Sequence, residues 1–588
     1  MMTEQIALPG DVLFTRLLKI ARQRNSQIAV DDFSRGTHFS FLQILNGTVK
    51  LQQKLQGVLD QSVLQKPGSF FIALLAPNGY EFIIGVLAVL AIGGVVVPMQ
   101  TATGALPGEA AYILKKCDAK YLLATAELAD LATRIKQEIE IPSLIIDNNE
   151  GGDAAADDDL PPVSLYTLNS DLAVSEETPS ILFFTSGTTG PPKGVLHGRR
   201  TINKYARQDE VPQPNDELCI IPRGAFWSLY FTKVFQMLLT GVRIEIHNFG
   251  RNYNLIWDKF RERNATKVVL SPTFWYGMMK HFQTDISIKL AQDAVDEYVK
   301  GVQHLRDASS TGAMLPALVK EFWREMRGGR QLKQLFGTTE TQEISMCELE
   351  TGSVENDLGT PLPNVILKLD NGDEGEVLVK TPSLFLGYAK YPIYVLKFRL
   401  TLRYRYLNSP AATAERFDAD GFFKTGDLAT LKDGRYIFQG RANMDLFKFY
   451  TYKVPRGNVE AALIALSYIA EGYIFPVADP QCDTRTSALV RFQNCDNDGH
   501  RDLATIRDDL AIKHGLPAYQ LPTVLRVLGA DQCVPRTWSD KTAMKKAVHE
   551  FFPLDNDGKI CGENTEIWDV SDFMKMQTEK LWELSGMR

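Results

Sequence analysis

Six consecutive residues of this chain, Thr185, Ser186, Gly187, Thr188, Thr189 and Gly190, are all hydroxyl residues or glycine. They follow the apolar run Ile181-Leu182-Phe183-Phe184 and are closed by Pro191-Pro192 and then Lys193-Gly194. Glycines let a backbone turn tightly and let its N–H groups converge on an anion. The hydroxyls add donors, and Lys193 adds a mobile positive charge. The composition is that of a phosphate-holding loop. It is not the Walker pattern, which needs G-x-x-x-x-G-K-[ST] opening a helix. Pro191 and Pro192 break that spacing.

A loop of this kind has to be held by rigid elements. Ile181–Phe184 reads as a buried strand. Upstream, Gln43–Leu59 has a helical pattern, Ser69–Ala76 is a buried strand ending at the turn Pro77-Asn78-Gly79, and Phe82–Ile92 is a buried helix feeding a strand at Gly94–Pro98. Tyr121–Ala124 and Ser143–Asp147 add strands. Downstream come strand patterns at Leu218–Pro222, Arg243–His247, Thr266–Leu270, Leu305–Ser309 and Leu332–Phe336. Strands separated by helices predict an α/β fold with parallel sheet and helices on both faces. Ligands in such folds bind at loops beyond strand C-termini, which is where Ser310–Ala313 and Gly337–Glu340 are expected. From about residue 362 the pattern is β-rich, with Val365–Leu369 and Gly375–Lys380 around the turn Asp370-Asn371-Gly372-Asp373. Residues 149–162 are acidic and read as a surface loop, and Phe573–Leu584 reads as a terminal helix.

Composition narrows the class. The chain has 588 residues, enough for several domains. Its net charge of -7 supplies no basic field for nucleic acid. The 7 cysteines are scattered without a CxxC, which argues against a disulfide framework or a zinc site and suits a reducing compartment. Residues 82–97 are too short and too glycine-containing for a membrane span. The start MMTEQIALPGD shows no signal peptide, and a cytoplasmic location is expected.

The stretch 181–200 resembles the signature of the adenylate-forming superfamily, which includes acyl-CoA synthetases, adenylation domains and luciferases. Further motifs of that family recur along nearly the whole chain. Ser310-Thr311-Gly312-Ala313 is similar to the segment lining the acyl pocket (Ser310, Thr311) and the adenine pocket (Gly312, Ala313). Phe336-Gly337-Thr338-Thr339-Glu340 resembles the motif whose aromatic stacks on adenine, whose Thr binds the α-phosphate and whose Glu holds Mg²⁺. The residue types suit those tasks: a flat apolar face, a hydroxyl donor and a hard oxygen ligand. Gly421–Asp427 resembles the ribose-binding motif, with Asp427 able to accept from both hydroxyls of a diol. Arg441 resembles the second ribose contact, and Asp445 the interdomain hinge. Pro535–Lys541 is similar to the loop bearing the catalytic Lys, here Lys541, and Lys448 sits in the other loop expected to face the cleft. The resemblance thus implies a catalytic set of Lys541, Thr339 and Glu340.

It also implies a large N-terminal α/β domain with an added β-rich subdomain, residues 1–440, and a small mobile α+β domain, residues 441–588. The implied activity is ATP-dependent ligation of a carboxylic acid to CoA through an acyl-AMP. The members most resembled, judging by Ser271-Pro272-Thr273 through Leu315, are short- and medium-chain acyl-CoA or malonyl-CoA synthetases. Five departures keep alternatives open. Asp540 stands where the family usually has Gly before the Lys, and Thr451 stands where a Gly lines the pantetheine path. Transfer to a carrier-protein thiol, or a degenerate nucleotide-binding homologue, are the other readings. The usual His gate is absent from Pro222–Trp227, leaving Phe226 or Trp227 as acyl-pocket wall. Gly277 stands where a basic anchor for a second carboxylate is sought, which favours a monocarboxylate. Finally, the basic, aromatic segment Pro392–Tyr406 interrupts an otherwise continuous family pattern and reads as an insertion or an unspliced intron.

Overall fold

The structure is a computed structural model. It describes residues 5–33, 35–99, 107–146, 160–185, 193–207, 216–221, 227–247, 252–348, 356–386, 416–441, 446–450, 452–493, 501–536, 542–562 and 564–570. The loop 149–159, the segment Pro392–Tyr406 and the tail Phe573–Leu584 lie outside them. The chain divides into two compact units, one of Met1–Ser353, Leu358–Leu367 and Leu378–Lys424, the other of Val354–Asp357, Lys368–Val377 and Thr425–Arg588.

The first unit carries two sheets. One has six strands in the order Lys193–Gly198, Pro179–Thr185, Val95–Pro98, Phe71–Leu75, Ala119–Thr125 and Ser143–Ile146. We label Pro179–Thr185 β1 and Lys193–Gly198 β2. These two pair antiparallel, and every other neighbouring pair is parallel. The run of apolar residues in β1 is explained by burial on both faces, as expected inside a sheet covered twice. The helix Tyr80–Ala91 is buried at every residue, so its uniform hydrophobicity serves the core. No helix among the described residues is long and apolar enough to cross a membrane. The helix Phe41–Val58 starts at Ser40, where Ser40 and Gln43 form a reciprocal capping box.

The second sheet has nine strands. Its middle, from Lys333–Thr338 through Asp307–Thr311, Lys267–Leu270, Leu218–Ile221 and Arg243–Ile246 to Ile28–Asp32, is parallel. The edges are antiparallel, with Thr37–Ser40 at one end and Gln342–Cys347 then Thr360–Pro361 at the other. The sequence pattern predicts a parallel sheet, and the antiparallel edges depart from it because a short hairpin needs no crossover helix. The core beside this sheet is built on Trp257, Trp275 and Trp323, all fully buried and mutually packed.

In the second unit, a mixed sheet joins Tyr452–Pro455, Leu446–Phe449, Asp483–Phe492, Val524–Val527 and Thr565–Ile567, with Ile469–Asp479 also on Asp483–Phe492. The helices Arg456–Ala465, Leu503–His514 and Met544–Phe551 pack with it. A four-stranded sheet, drawn from residues of both units, orders Ile366–Leu369, Glu374–Lys380, Phe423–Lys432 and Arg435–Arg441. The mixed α/β class, the β-rich addition and the α+β C-terminal part are as the sequence implies.

Candidate active site

In the first unit the motif segments sit at the ends of strands. β1 ends at Thr185 and β2 begins at Lys193, and these two residues pair across the base of the phosphate loop. The Thr185 hydroxyl donates to the Lys193 carbonyl at 3.3 Å. Ser186, Gly187, Thr188, Thr189 and Gly190 lie outside the described residues, and so does Phe226. The helix α1 (Arg200–Ala206) follows β2, and α2 (Ser228–Thr240) starts directly after Trp227, which is its N-cap residue.

Ser310 and Thr311 are the buried last residues of β3 (Asp307–Thr311). Phe336, Gly337 and Thr338 are the last of β4 (Lys333–Thr338), which runs parallel beside β3. Phe336 is expected to end a strand, but Ser310 and Thr311, like Gly337 and Thr338, are expected in loops. The strands run on because backbone ladders hold them: β5 (Gln342–Cys347) pairs antiparallel with β4 out to Thr338 and Gln342. Only Thr339, Glu340 and Thr341 remain as the turn. A Cβ on Gly337 would lie 2.1 Å from the Gln342 carbonyl oxygen, so this hairpin closes with glycine there. The turn is stitched by its own hydroxyls: Thr338 N–H donates to Thr341 Oγ1 at 3.1 Å, and Thr341 N–H to Thr338 Oγ1 at 3.3 Å. Among the described residues the side chains of Thr339 and Glu340 make no hydrogen bond and are half-buried.

Residues with no motif signal shape the same place. Gln334 on β4 donates to the Ala313 carbonyl at 3.2 Å and accepts from Leu315 N–H at 3.2 Å, fixing the path of Gly312 and Ala313. Trp275 Nε1 donates to the Ser309 carbonyl at 3.2 Å. His197 on β2 is wholly buried and donates through Nε2 to the Thr339 carbonyl at 2.8 Å. Burial pushes its pKa down to about 3, with the charges of Lys204 and Arg200 acting in the same direction and the Thr339 carbonyl opposing. At Gly277 a Cβ would sit 2.2 Å from the Tyr253 ring, so no side chain fits there while the ring holds its place.

In the second unit Asp427 and Arg441 face each other in register across the hairpin Phe423–Lys432 and Arg435–Arg441. Arg441 Nε donates to Asp427 Oδ1 at 2.8 Å. Asp427 is buried, while the Arg441 side chain is 42% exposed. The backbone before it is fixed by the Thr425 hydroxyl, which donates to the Val377 carbonyl at 2.8 Å and accepts from Asp427 N–H at 3.0 Å. Lys448 is exposed on Leu446–Phe449. Asp445, Thr451, Asp540 and Lys541 lie outside the described residues.

A Ser/Thr/Gly-rich segment between two paired strands and a turn bearing Thr and Glu supply the residue types that a polyphosphate and its metal need. The AMP-binding enzyme family profile matches residues 29–389. This chain belongs to that family. The acyl-CoA ligase oryP of Aspergillus oryzae is 40% identical over 577 residues, covering 97% of this chain and 98% of the relative. The mitochondrial malonate–CoA ligase ACSF3 of Bos taurus is 24% identical over 540 residues, covering 84% and 83%. Among solved structures, ATP-bound MatB from Rhodopseudomonas palustris matches the fold with a TM-score of 0.68 at 19% identity, covering 91% of this chain and 98% of that one. The adenylate-forming membership expected from the motifs is thereby established, and with it that the chain is an enzyme of the ligase type.

Proposed function

We propose that the chain is an ATP-dependent carboxylic acid–CoA ligase. A substrate carboxylate oxygen attacks the α-phosphorus of ATP, the bond to pyrophosphate breaks, and an acyl-AMP forms. The CoA thiol sulfur then attacks the acyl carbon, AMP leaves, and the thiol proton passes to solvent. Activation is required because a carboxylate is a poor electrophile. The observation that supports the reading is the contact of β2, the strand that leaves the 185–193 motif, with the Thr339 carbonyl through His197.

On this reading the 185–193 loop grips the β- and γ-phosphates, and Thr339 donates to the α-phosphate. Phe336 stacks on adenine over Gly312 and Ala313, and Trp227, Ser310 and Thr311 line the acyl pocket. Glu340 fits Mg²⁺: its carboxylate is half-buried, and Mg²⁺ is commonly held by one or two carboxylates plus substrate phosphates. When bound, Mg²⁺ would neutralise phosphate charge. Asp427 and Arg441 hold the ribose. By resemblance, Lys541 supplies the cation for adenylate formation, Asp445 is the hinge and Lys448 serves the thioester step. The scattered free thiols support a cytoplasmic setting.

The decisive measurement is carboxylate-dependent ATP–pyrophosphate exchange over a panel of acids, followed by thioester formation with free CoA. Exchange should require an added acid, and monocarboxylates should outperform dicarboxylates, because Tyr253 backs Gly277 and leaves no room for a basic side chain. Thioester formed only on a phosphopantetheinylated carrier protein would replace the CoA reading with the carrier one. Absence of exchange with every acid would leave a nucleotide-binding homologue. A second expected result concerns the ribose contact. Asp427→Asn loses a charge-assisted acceptor, worth about 1.5–3 kcal/mol, and AMP titrated calorimetrically should bind about 10–100-fold more weakly. An unchanged AMP affinity would remove Asp427 from the site.

A further inference from the structure

The carbonyl of Thr339 is gripped by two side chains from elsewhere in the first unit. His197 Nε2 lies 2.8 Å from it and Gln342 Nε2 3.0 Å. The tautomer follows from the partners. The Thr339 carbonyl can only accept, so Nε2 carries the proton and Nδ1 accepts from the buried Thr201 hydroxyl at 3.2 Å; Gln342 Nε2, 3.1 Å from His197 Nε2, directs its own protons to Thr339 and Ser228 instead. The Gln342 amide also donates to Ser228 Oγ at 2.8 Å, which ties the turn to the first residue of α2. The next residue, Glu343, pairs with Lys233 one turn further along α2 at 2.9 Å. Gln342 holds this position with a left-handed backbone, φ +59°, a conformation disfavoured for a residue of its kind. On the other side of the turn, Phe385 N–H donates to the Glu340 carbonyl at 2.9 Å.

The turn carrying Thr339 and Glu340 is therefore pinned at both of these peptide carbonyls. That of Thr339 is held from the strand that follows the phosphate loop and, through Gln342, from the helix that follows the expected acyl-pocket segment; that of Glu340 is held by Phe385 N–H. We propose that His197, Gln342 and Ser228 are positioning residues for adenylate transfer, holding the Thr339–Glu340 turn against the phosphate-loop strand. The inference rests on the ligase reading above. None of the three touches the reacting atoms. They act through Thr339, whose hydroxyl must meet the α-phosphate, and a small misplacement of such a group is costly in rate while leaving nucleotide affinity mostly intact.

The test uses the full-length chain and three variants. His197→Leu removes the donor. His197→Gln puts an amide donor near the former Nε2. Gln342→Asn keeps a residue that tolerates the left-handed backbone but is one methylene too short to span Thr339 and Ser228. Exchange is measured as kcat per AMP-binding site, with sites counted by AMP titration in the absence of metal, and melting temperatures are recorded. His197→Leu and Gln342→Asn should lose about 10–100-fold in kcat per site. Their metal-free AMP affinity should stay near wild type, and His197→Gln should retain more activity than His197→Leu. If His197→Leu does not fold, Gln342→Asn and His197→Gln carry the test. A wild-type kcat per site in folded Gln342→Asn would overturn the proposal, as would a loss of AMP affinity equal to the loss in kcat. A wild-type chain that exchanges no pyrophosphate with any acid fails differently, because the ligase reading then falls first and takes the proposal with it.

Discussion

Lys541→Ala should lower carboxylate-dependent ATP–pyrophosphate exchange by about 10²–10³-fold, the scale on which loss of one preorganised electrostatic partner of a transition state is felt. The same variant should convert supplied acyl-AMP and CoA to thioester at close to the wild-type rate. The contrast follows from charge. In the first half-reaction an anionic carboxylate approaches a polyphosphate and the pyrophosphate leaves with growing charge, so a cation at the α-phosphate lowers the barrier. In the second, the nucleophile attacks an acyl carbon and no charge accumulates on a polyphosphate. The described residues on either side of Lys541 are held together. Arg536 and Thr542 form an antiparallel bridge on either side of it, Ala543 N–H donates to the Pro535 carbonyl at 2.8 Å, and Arg536 donates to the Tyr473 hydroxyl at 2.7 Å. Exchange that survives Lys541→Ala would mean that another cation does this work, and the Asp540 departure would then mark a loop that has lost its role.

Motif and element are legible in the chain to unequal degrees, for physical reasons. β1 and the helix Tyr80–Ala91 are plain in the sequence because an apolar run of strand or helix length has to be buried on all sides. The hydroxyl-rich ends of β3 and β4 are not, because Ser, Thr and Gly favour turns locally and only the ladder to β5 carries the strand past Phe336 to Gly337 and Thr338. The supporting residues are hidden for a different reason. His197 and Thr339 are 142 positions apart in the chain, and nothing in the neighbours of His197 says that it is dry. Gln334 and Gln342 are ordinary polar residues until the carbonyls that they hold are known. Gly277 visibly lacks a basic side chain, but Tyr253 as the reason is a packing fact.

Packing also makes the protein sensitive to acid at one buried point. His197 has its pKa pushed down to about 3 by burial, against an ordinary value of 6.5, and it is 0% exposed, so solvent screens little of this. In the unfolded chain it takes up a proton as pH falls through 6.5, whereas in the folded chain it stays neutral until about pH 3. Between those values the unfolded state binds more protons, so stability falls as pH falls. Above pH 6.5 the residue is neutral in both states and contributes no slope. One pH unit is about 1.4 kcal/mol, so the full window amounts to roughly 4–5 kcal/mol, a large share of a typical folding free energy of about 5–15 kcal/mol. Carboxylates titrate in the same range, so the effect of His197 has to be isolated by difference. Urea unfolding of wild type and His197→Gln at about pH 7.5, 6 and 5 should show the wild type losing stability faster on the acid side, with the gap between the two proteins changing by about 1 kcal/mol or more per pH unit below about 6. Gln does not titrate, so its curve carries only the remaining groups. A gap that stays constant with pH would mean that His197 is reached by water or finds a proton acceptor in the folded state. The proton on Nε2, and with it the hold on the Thr339 carbonyl, would then no longer be fixed by burial alone.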